Sequence, residues 1–567
     1  MFRIFGSAAP VALVLLLAGS TAAVADPETE YTMDLNSASA TVQAGQTTST
    51  LISFEAEPYL DNTRVTLSAT GLPAGATARF IPATPRLRGH SVLMLTTSPS
   101  TPTGTASITI TAITISSDPI GSSATFGLTV TGAGDAMPAP ARAAAVAWPQ
   151  FGHDAQLSGA NPDEKIITRD TVGGLTLDYV AAGPANPSFG GISRSSPAVV
   201  GDVAYVGTDQ GLLIAWPATG CGADQCDPLW TAQLSNGAFT TPAVANGLVF
   251  ISSAGDVDNG LGTLYAFKAA GCGRPSCRPV WTAAVPNTDS SPTVAGGALY
   301  IVSNDGRLLA FTAAGCGRST CTPLWTGNLK TSGQAAPAVA NGLVYATSSE
   351  RLVAFAAGGC GKRTCPPIWA SQPVAGSDTG SGLIQDVGPT VSGDKVYFAS
   401  VDFQSPGGVT STVYALSSSG CAATGNLDCA PLWVAHPADF DSIQANLTVA
   451  DGVLYGSAVG LLYAFDANGC GQPVCGFLWV GNLGPDAGTG ASPSTAGGVT
   501  YYTQNVGRIG GFDARGCGEI VCGPLFSTLT QPFDAFMTTP VIVNGRLYVA
   551  GPAVGGQPTM WVYHLPK

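Results

Sequence analysis

The chain has 567 residues, with 23 Lys and Arg against 36 Asp and Glu and a formal net charge of −13. At about 100–200 residues per domain, that length calls for several domains or one large repeat array. A pI near 4.6 argues against nucleic-acid binding through a basic face. A hydrophobic content of 45% excludes charge-driven disorder, and the scarcity of Glu and Lys argues against long amphipathic helices.

The N-terminus carries Arg3, the apolar run Val11 to Ala18, and small residues ending Ala23-Val24-Ala25. A positive start, a short apolar stretch and an A-x-A site describe a cleaved export signal over residues 1–25. The run is too short to span about 30 Å of hydrocarbon, and no later stretch is longer, so no membrane span is expected. The mature chain is expected to begin at Asp26 and to work outside the cytoplasm, secreted or periplasmic.

Residues 26–132 contain no Cys and no Trp. Alternating runs such as Val65-Thr66-Leu67-Ser68-Ala69 and Ala106 to Ala112 are separated by Gly- and Pro-rich turns, which predicts a β-sandwich. The segment resembles bacterial immunoglobulin-like domains, through Gly-Leu-Pro-Ala-Gly-Ala-Thr-Ala at 71–78, Thr-Pro-Thr-Gly-Thr at 101–105 and Phe126-Gly127-Leu128-Thr129-Val130. That resemblance implies a spacer or adhesion module. An Ala- and Pro-rich stretch over 133–147 reads as a linker.

From Trp148 the chain repeats. Copies begin near Pro197, Pro242, Pro292, Pro337, Pro389, Leu447, Pro493 and Pro540, at intervals of roughly 45–58 residues, and each holds short strands between turns. In one copy, Pro292-Thr293-Val294 starts the unit and Ala298 to Val302 follows. Asn304-Asp305-Gly306 turns the chain into Arg307 to Phe311, and Leu324-Trp325-Thr326 forms the outer strand. The eighth copy stops after three strands, and Leu175 to Val180 is placed to supply its fourth. The expected fold is all-β: an Ig-like sandwich followed by an eight-bladed propeller over 148–567.

Fourteen cysteines fall into seven close pairs: Cys221/Cys226, Cys272/Cys277, Cys316/Cys321, Cys360/Cys365, Cys421/Cys429, Cys470/Cys475 and Cys517/Cys522. An even count in an exported chain predicts disulfides, one across each turn from third to fourth strand, as staples of hairpins on the rim. Trp230, Trp281, Trp325, Trp369, Trp433, Trp479 and Phe526 recur on the outer strands, where packing between blades is the expected role.

Trp148-Pro149-Gln150-Phe151-Gly152-His153-Asp154 with Ser158-Gly159 resembles the opening of pyrroloquinoline-quinone-like propeller proteins. So do units such as Gly-Leu-Val-Tyr at 342–345, Leu-Val-Ala-Phe at 352–355 and Ile368-Trp369. The resemblance implies either a quinoprotein dehydrogenase or a non-catalytic scaffold of the kind found in outer-membrane assembly. The dehydrogenases sandwich the quinone with a disulfide between adjacent cysteines, and this chain has no Cys-Cys dipeptide. No catalytic residue is therefore carried over, and no quinone cofactor is expected.

Asp256 and Asp258, in Asp256-Val257-Asp258-Asn259-Gly260, offer alternating carboxylates for calcium or else a polar hairpin turn. Asp378, Asp386, Asp402, Asp439 and Asp441 mark an acidic loop rim opposite the disulfide turns, read either as a binding rim or as solvated surface charge. His153-Asp154 has no accompanying nucleophile motif, so a structural hydrogen-bonding role is expected. The sequence thus predicts a monomeric, secreted binding or scaffold protein for a protein or cell-surface glycan. The alternative is a quinoprotein or Ca-dependent carbohydrate-active enzyme.

Overall fold

The computed structural model describes residues 31–131 and 147–566 apart from short internal segments, the longest being 185–194, 375–381, 422–427, 484–489 and 530–537. The export signal and most of the linker lie outside the described residues. So do Asp256, Asp258, Asp378, Asp386, Asp439 and Asp441. No α-helix occurs among the described residues, and none is long and apolar enough to cross a membrane.

Residues 31–131 form two four-stranded sheets. One orders β1 (Tyr31–Leu35), β3 (Thr47–Ala56), β6 (His90–Thr97) and β5 (Ala76–Ile81). The other orders β2 (Ser39–Gln43), β8 (Gly121–Thr131), β7 (Gly104–Thr114) and β4 (Val65–Thr70). The period of two along each strand sends one set of side chains inward. Ile52, Phe54, Leu93 and Leu95 thereby meet Ile108, Ile110, Phe126 and Leu128 in one core. The Tyr31 hydroxyl crosses between the sheets to donate to Ala112 O at 2.7 Å.

The repeat region folds as eight antiparallel sheets whose innermost strands contact one another in a closed ring. Blade 4 shows the plan: Ala338–Ala340, Leu343–Thr347, Leu352–Ala356 and Trp369–Ser371, running from the channel outward. Its second and third strands are wholly buried, because each blade is covered on both faces by its neighbours. Blade 8 joins both ends of the repeat region. Val541–Val543, Arg546–Pro552 and Pro558–His564 take Thr176–Ala182 as outer strand, antiparallel to Pro558–His564. The fourth strand expected from residues 175–180 is therefore in place.

All seven cysteine pairs are disulfides within their own turns: Cys221–Cys226, Cys272–Cys277, Cys316–Cys321, Cys360–Cys365, Cys421–Cys429, Cys470–Cys475 and Cys517–Cys522. The hairpin staples expected from the sequence are in place, and each also reaches into the core. The first cysteine of each pair is exposed or half-buried, but the second belongs to the core. Cys277, Cys321, Cys365, Cys429, Cys475 and Cys522 are buried in the clusters that hold Trp230, Trp281, Trp325, Trp369, Trp433 and Trp479. Cys226 is buried likewise in the cluster with Tyr179. A half-cystine has no polar hydrogen-bonding demand to satisfy, so the second sulfur packs against the preceding blade as a small apolar group.

These clips thus do more than close a turn. Each reaches back and lays a short parallel segment against the outer strand of the preceding blade. Thr364–Cys365 of blade 4 pairs with Thr326 and Gly327 of blade 3, and Gln225–Cys226 of blade 1 pairs with Val180 and Ala181 of blade 8. The glycine ahead of each first cysteine lies on the preceding blade's outer aromatic. A Cβ on Gly359 would fall 2.5 Å from Trp325 Cδ1, so only glycine fits there.

Tyrosines complete the joint. Tyr205, Tyr300, Tyr345, Tyr397, Tyr455 and Tyr548 each donate a hydroxyl hydrogen bond to a carbonyl just ahead of the next blade's clip. Blade 2 carries Phe250 at this position and makes no such bond, and blade 7 lacks it because blade 8 supplies no clip. The outer strand of blade 7, Phe526–Leu529, ends its sheet, and the buried Tyr501 hydroxyl has no hydrogen-bond partner. Val172 and Leu175 pack with Phe526 there instead.

Candidate functional site

The channel at the centre of the ring is governed by two girdles of hydrogen bonds. The first is the opening segment, residues 148–161, which runs around the innermost strands and touches every blade. Trp148 exchanges backbone hydrogen bonds with Val199 of blade 1 at 2.8 Å. Val244 N donates to Pro149 O, and Val294 N to Gln150 Oε1. Val339, Val391, Val449 and Thr495 donate in turn to the carbonyls of Ala155, Gln156, Ser158 and Gly159. Asn161 Nδ2 finally donates to Ile542 O of blade 8 at 2.9 Å.

Local chemistry shapes this strap. Asp154 accepts hydrogen bonds from the backbone of Gln156 and Ser158 and from the Ser158 hydroxyl, holding a tight turn. Gly159, at φ +68°, passes so close to Thr448 that a Cβ would overlap its hydroxyl. His153 lies edge-on to Trp148, with ring centroids 4.9 Å apart. The His153-Asp154 pair therefore belongs to the strap, where Asp154 holds the hydrogen-bonded turn and the buried His153 Nδ1 has no hydrogen-bond partner.

The second girdle sits where the chain enters each innermost strand. Ser196 N donates to Thr241 Oγ1, Thr241 N to Ser291 Oγ, Gly388 N to Asn446 Oδ1, Asn446 N to Ser492 Oγ, and Thr539 N to Ser196 Oγ. Ala336 and Gly388, at the corresponding places in blades 4 and 5, carry no side-chain acceptor. This collar offers hydroxyls and one amide, each accepting from the backbone of the preceding blade. Among the described residues, the collar positions Ser196, Thr241, Ser291, Asn446, Ser492 and Thr539 bear neither a carboxylate for a calcium ion nor a cation for the carboxylates of a quinone.

The loop rim opposite the clips holds the two insertions singled out in the sequence, and the structure brings them together. Gly382–Leu383 pairs antiparallel with Val401 and Asp402, at the end of the long second strand Lys395–Asp402 of blade 5. Asp402 is half-buried on this ridge. It is the one member of the acidic rim among the described residues, and no group of three His, Cys, Asp or Glu lies in metal-binding proximity among them. His436 Nδ1 lies 3.3 Å from Thr412 Oγ1 and from Ser411 O, beside the same hairpin. No sequence signal marked the strap's eight contacts, because their partners lie tens to hundreds of residues away.

Eight four-stranded blades around a channel, closed by strands from both ends of the repeat, define a β-propeller protein. Residues 168–272 and 273–420 match the family described as outer membrane protein assembly factor BamB. The match marks residues 168–420 as pyrroloquinoline-quinone-like β-propeller repeats. No curated protein matches it. Among solved structures it is similar to a europium-containing methanol dehydrogenase, at 12% identity and TM-score 0.38, covering 74% of this chain and 98% of that one. It is also similar to the Myxococcus xanthus glutaminyl cyclase, at 11% identity and TM-score 0.20, covering 40% and 88% of the two chains. A third likeness is to domains 4 and 5 of the S-layer protein SbsC, at 14% identity and TM-score 0.14, covering 18% and 51%.

Proposed function

We propose that this protein is an exported, non-catalytic binding propeller whose ligand, a protein or a cell-surface glycan, docks on the loop rim. The observation that carries the reading is the blade 5 ridge. Two insertions that the repeat does not need have been joined by a strand pairing, Gly382–Leu383 against Val401 and Asp402. Extra loops on a rigid scaffold are where recognition is built. Seven disulfides fit an oxidising compartment outside the cytoplasm, which agrees with a cleaved signal over residues 1–25. Residues 31–131 act in this reading as an Ig-like spacer.

A quinoprotein role is disfavoured by the chemistry of the channel. Every cysteine is committed to a clip, and the collar is built of hydroxyls. The test is direct. Purified protein mixed with pyrroloquinoline quinone and Ca²⁺ is expected to show neither a rise in melting temperature nor dye reduction with alcohols or sugars. A clear signal in both would overturn the binding-protein reading. Capture of an envelope component that is lost when residues 382–383 and 402–410 are replaced by a short Gly-Ser turn would support the rim.

A further inference from the structure

The clip face carries a charge asymmetry that neither the fold nor the rim explains. Lys268, Arg274 and Arg278 flank or lie in the blade 2 clip, Arg318 lies in that of blade 3, and Lys362 and Arg363 lie in that of blade 4. All six are exposed, and among the described residues none forms an ion pair. Only 23 cations serve 567 residues, so six on three consecutive clips is a marked concentration. The clips do not require them. The blade 6 clip, Cys-Gly-Gln-Pro-Val-Cys, makes the same joint with no charge at all.

The clips on either side are acidic. Blade 1 presents Asp224 and Asp227, both exposed, and blade 5 presents Asp428, which is exposed and paired with Arg351 at 2.8 Å. Because every clip is the turn from third to fourth strand, all seven lie on one face of the ring, and the cations form an arc bounded by carboxylates. Lys268 and Arg278 also flank a surface hollow floored by the Cys272–Cys277 disulfide and Val280.

We propose that this arc is a docking surface for a linear anionic polysaccharide. An arc of cations between carboxylates suits a narrow chain of negative charges. A flat anionic membrane covering the face would meet the acidic clips as well. Nucleic acid is disfavoured because the outer aromatics Trp281, Trp325 and Trp369 are buried and leave no platform for stacking bases. A glycan also has apolar ring faces to cover, and Val280 and Leu324 are 45% and 56% exposed among these cations. The interaction is one of charge complementarity, so it weakens as salt screens it, with a Debye length of about 8 Å near 0.15 M. The proposal shares the binding-propeller reading but uses the opposite face from the rim, so either surface can fail alone.

The test uses the full chain and heparin, a linear sulfated glycan, as probe. Titration at low and near-physiological salt is expected to show binding that weakens with salt. The variant Arg274→Glu, Arg278→Glu, Arg318→Glu, Lys362→Glu is expected to lose at least tenfold in affinity, with its melting temperature and circular dichroism unchanged. Lys330→Glu with Arg307→Glu, on the other face, is expected to bind as the parent does. No binding by the parent, equal binding by the clip variant, or tighter binding to oligo(dT) or to anionic phospholipid vesicles would each overturn the proposal. Loss of heparin binding with the envelope ligand of the rim retained would separate the two surfaces.

Discussion

The hydroxyl of Tyr345 in blade 4 donates to the carbonyl of Ser418 in blade 5 at 2.8 Å, and both are buried. The matching hydroxyl in blade 7, Tyr501, is just as deeply buried and has no partner. Tyr345→Phe should therefore destabilise by about 1–2 kcal/mol, because a buried carbonyl loses its donor. Tyr501→Phe removes an unpaired polar group and should be neutral or stabilising. Paired denaturant melts read both, and equal losses for the two variants would refute the inter-blade role of the tyrosines.

The glycines ahead of the clips separate backbone strain from crowding. Gly359 and Gly361 both have positive φ, +79° and +73°, but only Gly359 faces the Trp325 indole, whereas a Cβ on Gly361 meets nothing within 4 Å. Gly361→Ala should cost about 1–2 kcal/mol, the penalty for a left-handed residue with a side chain. Gly359→Ala should cost more and should shift Trp325 fluorescence as the ring is displaced.

Reduction should add fourteen hydrogens to the intact mass of the native protein, since all fourteen cysteines are bonded. Replacing Cys360 and Cys365 by Ser should cost about 2 kcal/mol for so short a loop. The two positions differ when changed alone: Cys365 is buried beside Trp325, so a serine hydroxyl there is the more damaging of the two. Free thiols in exported protein would contradict the clip arrangement.

Asp154→Ala should destabilise by about 1–2 kcal/mol through loss of three hydrogen bonds that hold the strap turn. Asp154→Asn should recover part of that, since its amide oxygen still accepts. A thermal melt distinguishes this from a catalytic role, which would leave the melting temperature unchanged.

Burial raises the inter-blade tyrosines above their ordinary value of 10.0, with Tyr205 pushed up to about 12. Tyr300, Tyr345, Tyr397, Tyr455 and Tyr548 rise for the same reason. A raised folded-state pKa gives stability that is complete below about pH 10, the unfolded value, and is lost as pH climbs above it. Each such tyrosine adds a slope of about 1.4 kcal/mol per pH unit in that window. Unfolding midpoints should be flat from pH 7 to 9 and fall steeply above 10, whereas a flat profile to pH 12 would contradict these shifts.

Much of the architecture was readable from local signals. The recurring Pro starts, the Asn304-Asp305-Gly306 turn and the Cys spacing are short-range features, and blade count and disulfide pairing followed from them. The backward reach of the clips was not readable, because the pairing of Thr364 with Thr326 joins residues from different repeats. For the same reason the burial of Cys321, Cys429, Cys475 and Cys522 beside a neighbouring blade's Trp could not be read from a turn considered alone. The glycine before each first cysteine was a visible sign of it, repeated from Gly220 to Gly516. The strap escaped for a related reason. Carbonyls such as those of Ala155 and Gln156 carry no side-chain pattern, and their partners, Val339 and Val391, are known only once the ring closes. The rim was legible as insertions, but the pairing of residues 382–383 with 401–402 was not.

Because every clip hooks the blade before it, the ring has a direction. The first clip, Cys221–Cys226, grips Val180 and Ala181, which belong to the last blade. The strand Thr176–Ala182 is thus gripped from both sides, by Pro558–His564 of its own blade and by the clip of blade 1, so the joint between the two ends of the ring is locked by a covalent turn.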